Sequence, residues 1–427
     1  MDKCKIRQAI EFLSTIGFLP LIATLPFFFG KPQLFSLYIA AFFYLLDYFV
    51  NRRWSEWSGK NVNLSYLLFI ALFFFVLFRA LFDNYFSSQL SATIDRYLPF
   101  LIFGIIGVIG YVKKIRLEYV AWVMQIVSVI IILRVLYELH KLGIPFIGVE
   151  EWLKEYNHYM HHTINSHMVV NMYLNFLLIV SIYVMLHSNI SKGLRVITFL
   201  GIFPAVWLLL ISNGRAGIIG FILSIFVLFT YYLIRKSKWH IFLFIAMYGL
   251  IVLGVIGSKD KFYDATMSNN PRLHIWKVCV DMIKERPVWG YGICSARKEF
   301  VERGLSSEDF YNNYAWEILS EAEVYKKKPD FYRMHPHNAF LEVWMQMGLL
   351  GVLLLLATLY SLTQLKLKGK QVYLNLCLLN FLIQMLFESF GSHLQPLFLC
   401  LMVILFHYSP DEERKKLFGK GGVFFAK

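Results

Sequence analysis

"LSYLLFIALFFFVLFRALF", residues 64–82, is a long apolar stretch interrupted by one charge, Arg79. A helix needs about 20 apolar residues to cross a bilayer core about 30 Å thick. The stretch is continuously apolar and does not alternate with polar residues, so it predicts a membrane helix and not a strand of a barrel. Similar stretches recur along the whole chain, and the fold class follows from that repetition.

Composition places this chain of 427 residues among membrane proteins. It is 58% hydrophobic and 16% charged, with a mean hydropathy of +0.55. These values exclude an ordinary soluble globular domain. The formal net charge is +14, but the basic residues fall in short clusters between apolar segments. That pattern orients membrane proteins, so nucleic-acid binding is not expected.

We predict an all-α polytopic membrane protein with about twelve transmembrane helices. The predicted segments are 9–29, 33–50, 64–82, 97–112, 119–139, 167–187, 196–212, 217–234, 240–257, 338–361, 372–388 and 396–409. Lys and Arg concentrate in both termini and in the connections after even-numbered segments, which predicts that both termini are cytoplasmic. The N-terminal segment lacks a small-residue cleavage site and is expected to be a retained helix.

The long connection 258–336, between the ninth and tenth segments, predicts a subdomain outside the cytoplasm. Within it, RLHIWKVCVDMIKE (272–285) has a helical pattern that begins after Pro271 and ends before Pro287. The predicted organisation is helices one to nine in 1–257, the loop subdomain in 258–336, helices ten to twelve in 337–409 and a basic tail in 410–427. Of the five cysteines, only Cys279 and Cys294 are suited to form a disulfide.

Two arginines are candidate anion ligands. Arg215, in ISNGRAGIIGF, lies at a helix start between glycines; it is either an interfacial arginine or a phosphate ligand. Arg272 lies at the first turn of the loop helix, where the helix dipole favours anions, so it either binds an anion or pairs with Asp264 or Glu285. Further basic residues of the same loop are Arg286, Arg297, Lys298, Arg303 and Arg333.

The segment MHPHNAFLEVWMQMGLLG, residues 334–351, begins the tenth helix with polar residues. Histidine has an ordinary pKa of about 6.5, so His337 can act as a general base, although a structural role at the helix start is an alternative. Asn338 is a candidate helix cap. His335 and His337 lack a further ligand at metal-binding spacing, so no metal site is predicted. Glu342 either orients the imidazole or faces water.

Near the outer end of the eleventh helix, Glu388 in FESFG is expected to support an arginine such as Arg215 or Arg272. Together, several arginines, one or two histidines and no metal constellation on the outer side suit a lipid-pyrophosphate donor that is attacked by a hydroxyl. Arginine would hold the diphosphate and histidine would take the proton of the hydroxyl. Such a donor is already activated, so no ATP is required.

The motifs SNGRAG (212–217), PRLHIW (271–276), RPVWGYG (286–292), HNAFLEVWMQMGLLG (337–351) and FESFG (387–391) resemble those of the O-antigen ligase and polymerase superfamily. The resemblance implies a GT-C-like, multi-pass glycosyltransferase of the bacterial inner membrane. It implies transfer of a glycan from undecaprenyl pyrophosphate to the lipid A-core oligosaccharide, with inversion and without a metal or other cofactor. It leaves the oligomeric state open.

By motif position, the resemblance implies catalytic roles on the periplasmic face for Arg215, Arg272 and His337. Around them, the candidate substrate-binding residues are Asn338, Arg297, Arg286, His335 and Glu388. The first alternative is a polymerase of the same superfamily, which performs the same chemistry; polymerases often have two comparable loops with an Arg-x10-Gly pattern that is not found after Arg272. The second is a lipid-linked glycan transporter, whose function would depend on Arg79 and Arg134 within the spans.

Overall fold

The computed structural model describes residues 3–27, 32–52, 62–83, 86–110, 115–141, 143, 167–212, 215–234, 249, 271–306, 336–365, 367–387 and 394–409. Over these ranges every regular element is helical. The α-helices, in chain order, are α1 Lys3–Ile16, α2 Phe18–Thr24, α3 Pro32–Val50, α4 Leu64–Leu81, α5 Phe86–Ile109, α6 Leu117–Lys141, α7 His167–His187, α8 Lys192–Leu200, α9 Ile202–Ile211, α10 Arg215–Ile234, α11 Pro271–Glu285, α12 Ser295–Ser306, α13 Ala339–Thr363, α14 Gln371–Phe387 and α15 Leu394–Tyr408.

Seven of the described helices are long and apolar enough to cross a membrane. They are Cys4–Thr24, Pro32–Val50, Leu64–Leu81, Leu117–Lys141, Met168–His187, Lys192–Ile211 and Ala339–Thr363. Three shorter apolar helices follow the same pattern: Ala216–Tyr231, Gln371–Phe387 and Leu394–Tyr408. The chain is therefore a polytopic membrane protein that is helical over the described residues, as predicted. The number of twelve spans stays a prediction, because segment 240–257 lies outside the described residues apart from Gly249.

One helix boundary differs clearly from the sequence prediction. Helix α5 begins at Phe86, whereas residues before 97 were expected to form an outside loop. The polar character of 87–96 hid this first part, which forms helix all the same and continues through Pro99. The helix of the long connection was placed correctly, since α11 spans Pro271–Glu285. Proline at the first helical position suits this start.

Helix α7 occupies the centre of the bundle. It contacts α6, α8, α9, α10, α14 and α15, and α15 is itself buried along most of its length. A helix that is apolar on all sides is expected in such a central position. The outer helices α3, α4 and α6 expose large apolar side chains instead, among them Phe42, Phe74 and Leu133. Such exposed side chains suit contact with lipid.

Polar side chains join α7, α10 and α14 inside the bundle. Asn175 of α7 donates a hydrogen bond to the carbonyl of Gly217 at 2.9 Å. Asn380 of α14 donates to the hydroxyl of Ser224 in α10 and to the carbonyl of Leu376. Amides buried among apolar helices are stabilising only when they are paired in this way. These bonds fix α10, whose first residue is Arg215, against the two neighbouring helices.

Helix α13 connects the membrane bundle to the two helices of the long connection. It packs against α4 and α14 in the bundle, and against α11 and α12 of the connection. The second contact encloses a small apolar cluster of Ile275, Cys279, Met282, Phe300 and Met345, among others. Helices α11 and α12 are therefore held in place by α13, the helix that begins with the candidate histidine. The loop subdomain as a separate unit stays a prediction.

Candidate active site

The segment before α13 holds His337 in a backbone conformation that few side chains adopt. Its φ is +50°, and among the described residues other than glycine only Arg52 also has a positive φ. The left-handed conformation costs such a residue about 1–2 kcal/mol, so neighbouring contacts must maintain it. Strained residues of this kind cluster at functional sites. The side chain is half-buried, which leaves the imidazole able to meet a substrate.

Asn338 fixes the first turn of α13, as the sequence predicted. Its side-chain oxygen accepts a hydrogen bond from the backbone N–H of Leu341 at 3.0 Å. Its side-chain nitrogen donates to the carbonyl of Leu386 at 3.1 Å, near the end of α14. One amide therefore caps α13 and ties it to α14. Because Asn338 is buried, it contributes to the site by fixing the position of the adjacent His337.

Helix α11 is tied to the same segment from the other side. The indole N–H of Trp276 donates a hydrogen bond to the carbonyl of Pro336 at 3.0 Å, directly before His337. Arg272 precedes Trp276 by one helical turn, so both side chains lie on the same face of α11. The contact brings the helix face that carries Arg272 to the segment that carries His337.

One alternative for Arg272 is wrong. The sequence allowed a salt bridge from Arg272 to Glu285, but these residues lie at opposite ends of α11, about 20 Å apart at 1.5 Å per residue. Glu285 instead pairs with Arg303, at 2.6 Å between Nη1 and Oε1. The other suggested partner, Asp264, lies outside the described residues. The guanidinium of Arg272 is half-buried in the first turn of α11.

A buried ion pair that the sequence did not suggest lies one turn into α13. Glu342 is 5% exposed, and its Oε1 lies 3.7 Å from Nη1 of Arg96 in α5. Gln346 donates a hydrogen bond to the same oxygen at 3.1 Å. Glu342 therefore faces the protein interior and not water, and its second oxygen has no hydrogen-bond donor among the described residues. Arg96 joins α5 to the turn that follows His337.

Replacing Arg96 with methionine should destabilise the protein by about 1–3 kcal/mol, because it leaves a buried carboxylate without its cation. Thermal unfolding of the purified protein in detergent measures the effect. Adding Glu342→Gln to the same chain should restore part of the lost stability. The matched control is Arg134→Met: Arg134 lies 2.6 Å from Glu138, but its side chain is 51% exposed, so the cost should be below about 1 kcal/mol. Equal losses in the two arginine variants would contradict this account.

The loop between α11 and α12 docks on a break in α13. At Gly348 the backbone leaves the helical conformation, with φ +69° and ψ −169°. The carbonyls of Met345 and Gln346 accept hydrogen bonds from the N–H groups of Tyr291 and Gly292, at 2.7 and 3.1 Å. The break thus frees backbone groups of α13, and the loop motif RPVWGYG satisfies them.

Pro287 completes this interface. Its carbonyl accepts hydrogen bonds from the N–H of Leu349 at 2.9 Å and from the indole of Trp344 at 2.9 Å. The contact is close: a Cβ on Gly348 would lie 1.9 Å from the carbonyl oxygen of Val288, and one on Gly290 would lie 2.6 Å from that of Met345. Only glycine allows the two backbones to approach to this distance. The glycines at 290 and 348 therefore allow the same backbone contact between the loop and α13.

Asp83, at the end of α4, caps the start of α12. Its carboxylate accepts hydrogen bonds from the N–H groups of Cys294 and Ser295, at 2.7 and 3.0 Å, and from the hydroxyl of Ser295. A carboxylate at a helix start satisfies free N–H groups and interacts favourably with the helix dipole. A residue more than 200 positions away in the sequence thus fixes α12.

Substitution of Asp83 by alanine should lower the stability of the α12 region by about 1–2 kcal/mol, since three donors lose their acceptor. Limited proteolysis within α12, followed by mass spectrometry, reports the change. Asp281→Ala serves as a control, because Asp281 is exposed and pairs with Lys284 on its own helix; we expect a change within about 0.5 kcal/mol. Unchanged proteolysis in the Asp83 variant would show that the cap is dispensable.

An exposed cluster joins the end of α11 to α12. Both oxygens of Glu285 accept from Arg303, and Tyr291 donates to Glu285 at 2.6 Å. Hydrogen bonds from Arg303, and then from Tyr291, lower the pKa of Glu285 to about 2. Partial burial, followed by its bond to Glu285, raises the pKa of Tyr291 to about 12. Glu285 is therefore ionised and Tyr291 protonated at any ordinary pH.

The remaining candidate arginines are distributed over the same region. Arg286 stacks on the ring of Tyr291, with its guanidinium carbon 4.5 Å from the ring centre. Arg297 is half-buried in the first turn of α12. Arg215 is the first residue of α10, but its side chain is not among those described. His335 and Glu388 lie outside the described residues, so their predicted roles stay predictions.

All five cysteines are free, and Cys279 and Cys294 are both buried. The disulfide that the sequence allowed between them is therefore not formed. Burial raises the pKa of the Cys279 thiol well above its ordinary value, which makes it unreactive. Within the described ranges, no three side chains of His, Cys, Asp or Glu lie close enough to share a metal ion.

Comparison with known proteins identifies relatives of this chain. The sequence model of a family described as "O-Antigen ligase" matches residues 200–356. A protein of Rickettsia conorii named "Putative polysaccharide ligase" is 25% identical over 194 residues, which are 43% of this chain and 43% of the relative. A protein of Rickettsia felis with the same name is 23% identical over 192 residues, 43% of this chain and 44% of the relative.

The chain thus spans less than half the length of the curated relatives that it matches. The matched family region contains Arg215, Arg272, His337 and the break at Gly348. Over this region the chain is similar to the O-antigen ligase family, which is the family that the sequence motifs resemble.

Proposed function

We propose that this chain is an O-antigen ligase that transfers a glycan from undecaprenyl pyrophosphate to a hydroxyl of the lipid A-core oligosaccharide. The reaction takes place on the periplasmic face of the inner membrane, with both chain termini in the cytoplasm. The proposal depends on one observation above all: strained His337 at the beginning of α13, beside the segment that Trp276 ties to the helix of Arg272.

In this mechanism His337 is the general base. The oxygen of the acceptor hydroxyl forms a bond to the anomeric carbon of the donor sugar, while the bond from that carbon to the pyrophosphate oxygen breaks. The hydroxyl proton passes to the imidazole, and undecaprenyl pyrophosphate leaves with the electron pair of the broken bond. Because the hydroxyl attacks opposite the leaving group, the configuration at the anomeric carbon inverts. A positioned base contributes about 10²–10⁴-fold to such a reaction.

Arg272 and Arg215 bind the pyrophosphate in this proposal. Guanidinium groups match phosphate oxygens in a bidentate geometry and stay charged at all ordinary pH values. They stabilise the negative charge that grows on the pyrophosphate as it leaves, which is the role that a metal ion has in other glycosyltransferases.

A transporter is the less favoured alternative. That hypothesis requires Arg79 and Arg134 to line a polar pathway. Arg134 instead pairs with Glu138 one turn later and is half exposed. Arg79 lies in the last turn of α4 and donates to the carbonyl of Trp289 at 2.6 Å. Each arginine therefore has a contact with its own surroundings that does not require a transport pathway.

Deleting the gene in a strain with complete lipopolysaccharide tests the proposal and separates it from both alternatives. Loss of a ligase should leave long glycan on the lipid carrier and unsubstituted core. Loss of the related polymerase should leave core with a single repeat unit. Loss of a transporter should leave the substrate on the cytoplasmic face. Either of the last two patterns would overturn the ligase assignment.

A reconstituted assay tests the chemistry directly. Purified protein in liposomes receives the lipid-linked glycan and the lipid A-core acceptor, with and without EDTA. We expect equal rates of transfer in both conditions and inversion at the anomeric carbon in the product. A rate that falls in EDTA and recovers with a divalent cation would contradict the metal-independent mechanism.

A further inference from the structure

A cleft of about 510 Å³ lies between the end of α4 and the loop that follows α11. Its wall includes Arg79, Asp83, Arg286, Trp289 and Tyr291. The volume falls within the range of pockets that hold small ligands. Arg272 is not among the residues of this wall, and the mechanism above does not use the cleft.

The two carboxylates of the cleft are already occupied. Asp83 caps α12 through the N–H groups of Cys294 and Ser295. Glu285 is held by two hydrogen bonds from Arg303, at 2.6 and 2.8 Å. Hydrogen bonds from N–H groups leave the negative charge of Asp83 in place, and this charge interacts electrostatically with Arg79. The charge of Glu285, in contrast, is balanced by Arg303.

The two guanidinium groups of the wall make their direct contacts with neutral groups, and each also interacts electrostatically with a carboxylate, Arg79 with Asp83 and Arg286 with Glu285. Arg79 donates to the carbonyl of Trp289 and lies 5.7 Å from the centre of its ring. Arg286 lies over the ring of Tyr291. Neither forms an ion pair with a carboxylate among the described side chains, and the Nε atom of Arg79 is buried without a hydrogen-bond acceptor. When Arg303 is counted with Glu285, three guanidinium groups stand against two carboxylates, so the cleft has one net positive charge. It also has a buried donor that an anionic oxygen would satisfy.

The rim of the cleft is apolar and exposed. The exposed fractions are 70% for Phe82, 57% for Leu81, 53% for Trp289 and 46% for Val288. Helix α4 is a candidate membrane span that ends at Leu81, so this rim lies where the bilayer meets water, the level at which tryptophan is enriched. A free inorganic anion makes no use of such a rim, whereas the headgroup of a membrane lipid does.

We propose that this cleft binds the phosphate of a lipid headgroup, and that it is the site where the phosphorylated acceptor glycolipid is held. The assignment to the acceptor rests on the proposed function. Transfer between two membrane-anchored substrates needs two headgroup sites, and the donor's diphosphate is assigned to Arg272 and Arg215.

The distance along α13 from His337 to the docked loop determines how long the acceptor must be. The loop that forms the cleft docks at Gly348, about ten residues after His337, which corresponds to roughly 15 Å of helix. An acceptor whose phosphate lies in the cleft must therefore extend a chain of several sugars to bring its hydroxyl to His337. A glycolipid with one sugar should bind the cleft but receive no glycan.

Native mass spectrometry of the full chain in detergent tests the binding, with phosphatidic acid as the probe because its headgroup is a phosphate monoester. We expect wild-type protein to retain phosphatidic acid in preference to phosphatidylcholine. The double substitution R79Q/R286Q should weaken this retention about tenfold, or ~1.4 kcal/mol at 25 °C. Arg134→Gln should retain it unchanged, because Arg134 is an exposed arginine on a different membrane helix.

Two further arms keep the result decisive. If R79Q/R286Q does not fold, the single variant Arg286→Gln is used, since Arg286 is exposed and its guanidinium lies over the ring of Tyr291; about a threefold loss is then expected. Inorganic phosphate is added as a competitor. Retention by the Gln variants equal to wild type would overturn the site. Displacement by inorganic phosphate at the concentration of phosphatidic acid would overturn the lipid assignment.

The acceptor assignment is tested separately in the reconstituted transfer assay. R79Q/R286Q should raise the KM for the acceptor about tenfold and leave the KM for the donor unchanged. An unchanged acceptor KM would overturn the acceptor assignment even if lipid binding is lost. Absence of any transfer by wild-type protein that still binds phosphatidic acid would instead count against the proposed function.

Discussion

Replacing His337 with alanine is expected to lower the rate of glycan transfer by about 10²–10⁴-fold, the contribution of a positioned general base. The acceptor hydroxyl would then lose its proton only to water, while binding of both substrates is retained. The rate is measured with purified protein and lipid-linked glycan under saturating substrate. In cells, the same variant should leave unsubstituted core and glycan on the lipid carrier, at a normal amount of protein.

The backbone at His337 decides the choice of control. Alanine at φ +50° loses the imidazole and also strains the backbone. Asparagine tolerates the left-handed conformation better than other non-glycine residues but is not a base. His337→Asn should therefore have the stability of wild type and the low activity of His337→Ala. Wild-type transfer by His337→Asn would remove this residue from the mechanism.

A similar substitution of Arg272 by alanine separates binding from proton transfer. The guanidinium is proposed to act mainly on the leaving pyrophosphate, so the loss should appear in kcat as well as in the KM of the donor. Trp276→Phe is a useful companion, because it removes only the hydrogen bond to the carbonyl of Pro336. A smaller loss of activity is expected in that variant, since the ring still packs between the two segments.

Membrane segments were predictable from the sequence because hydropathy depends on local composition alone. Their ends and breaks were not. Helix α5 begins at Phe86, within residues whose polar composition resembles a loop. The segment predicted at 196–212 is divided into α8 and α9 at Gly201. These features depend on which neighbouring helix accepts a polar side chain, and one sequence does not contain that information.

Within the candidate site, the sequence was sufficient to find residues whose role depends on contacts with their near neighbours in the chain. The cap at Asn338 and the start of α11 at Pro271 are examples, because each depends on the next few residues. Arg96 and Asp83 were missed because their partners, Glu342 and Ser295, lie more than 200 residues away. The sequence showed only that each is a charged residue beside an apolar segment. This does not indicate which distant residue it contacts.

Introducing a side chain at Gly348 should cause the largest structural effect. The Cβ of alanine would lie 1.9 Å from the carbonyl oxygen of Val288, and the backbone angles favour glycine. We expect α13 to continue as a regular helix through this position. Its carbonyls would then bond within the helix and release the N–H groups of Tyr291 and Gly292. The expected cost is about 3–5 kcal/mol, combining strain and lost hydrogen bonds.

Cysteine labelling detects the release of the loop. Cys294 is buried next to the loop, whereas Cys4 is exposed and serves as an internal reference. In Gly348→Ala, a maleimide should label Cys294 together with Cys4, and glycan transfer should fall because α11 and its Arg272 are no longer held at the start of α13. Gly193→Ala is the matched control, since nothing lies within 4 Å of the added carbon. If Cys294 stays unlabelled in Gly348→Ala and transfer is unchanged, the docked loop is not what positions Arg272 beside His337.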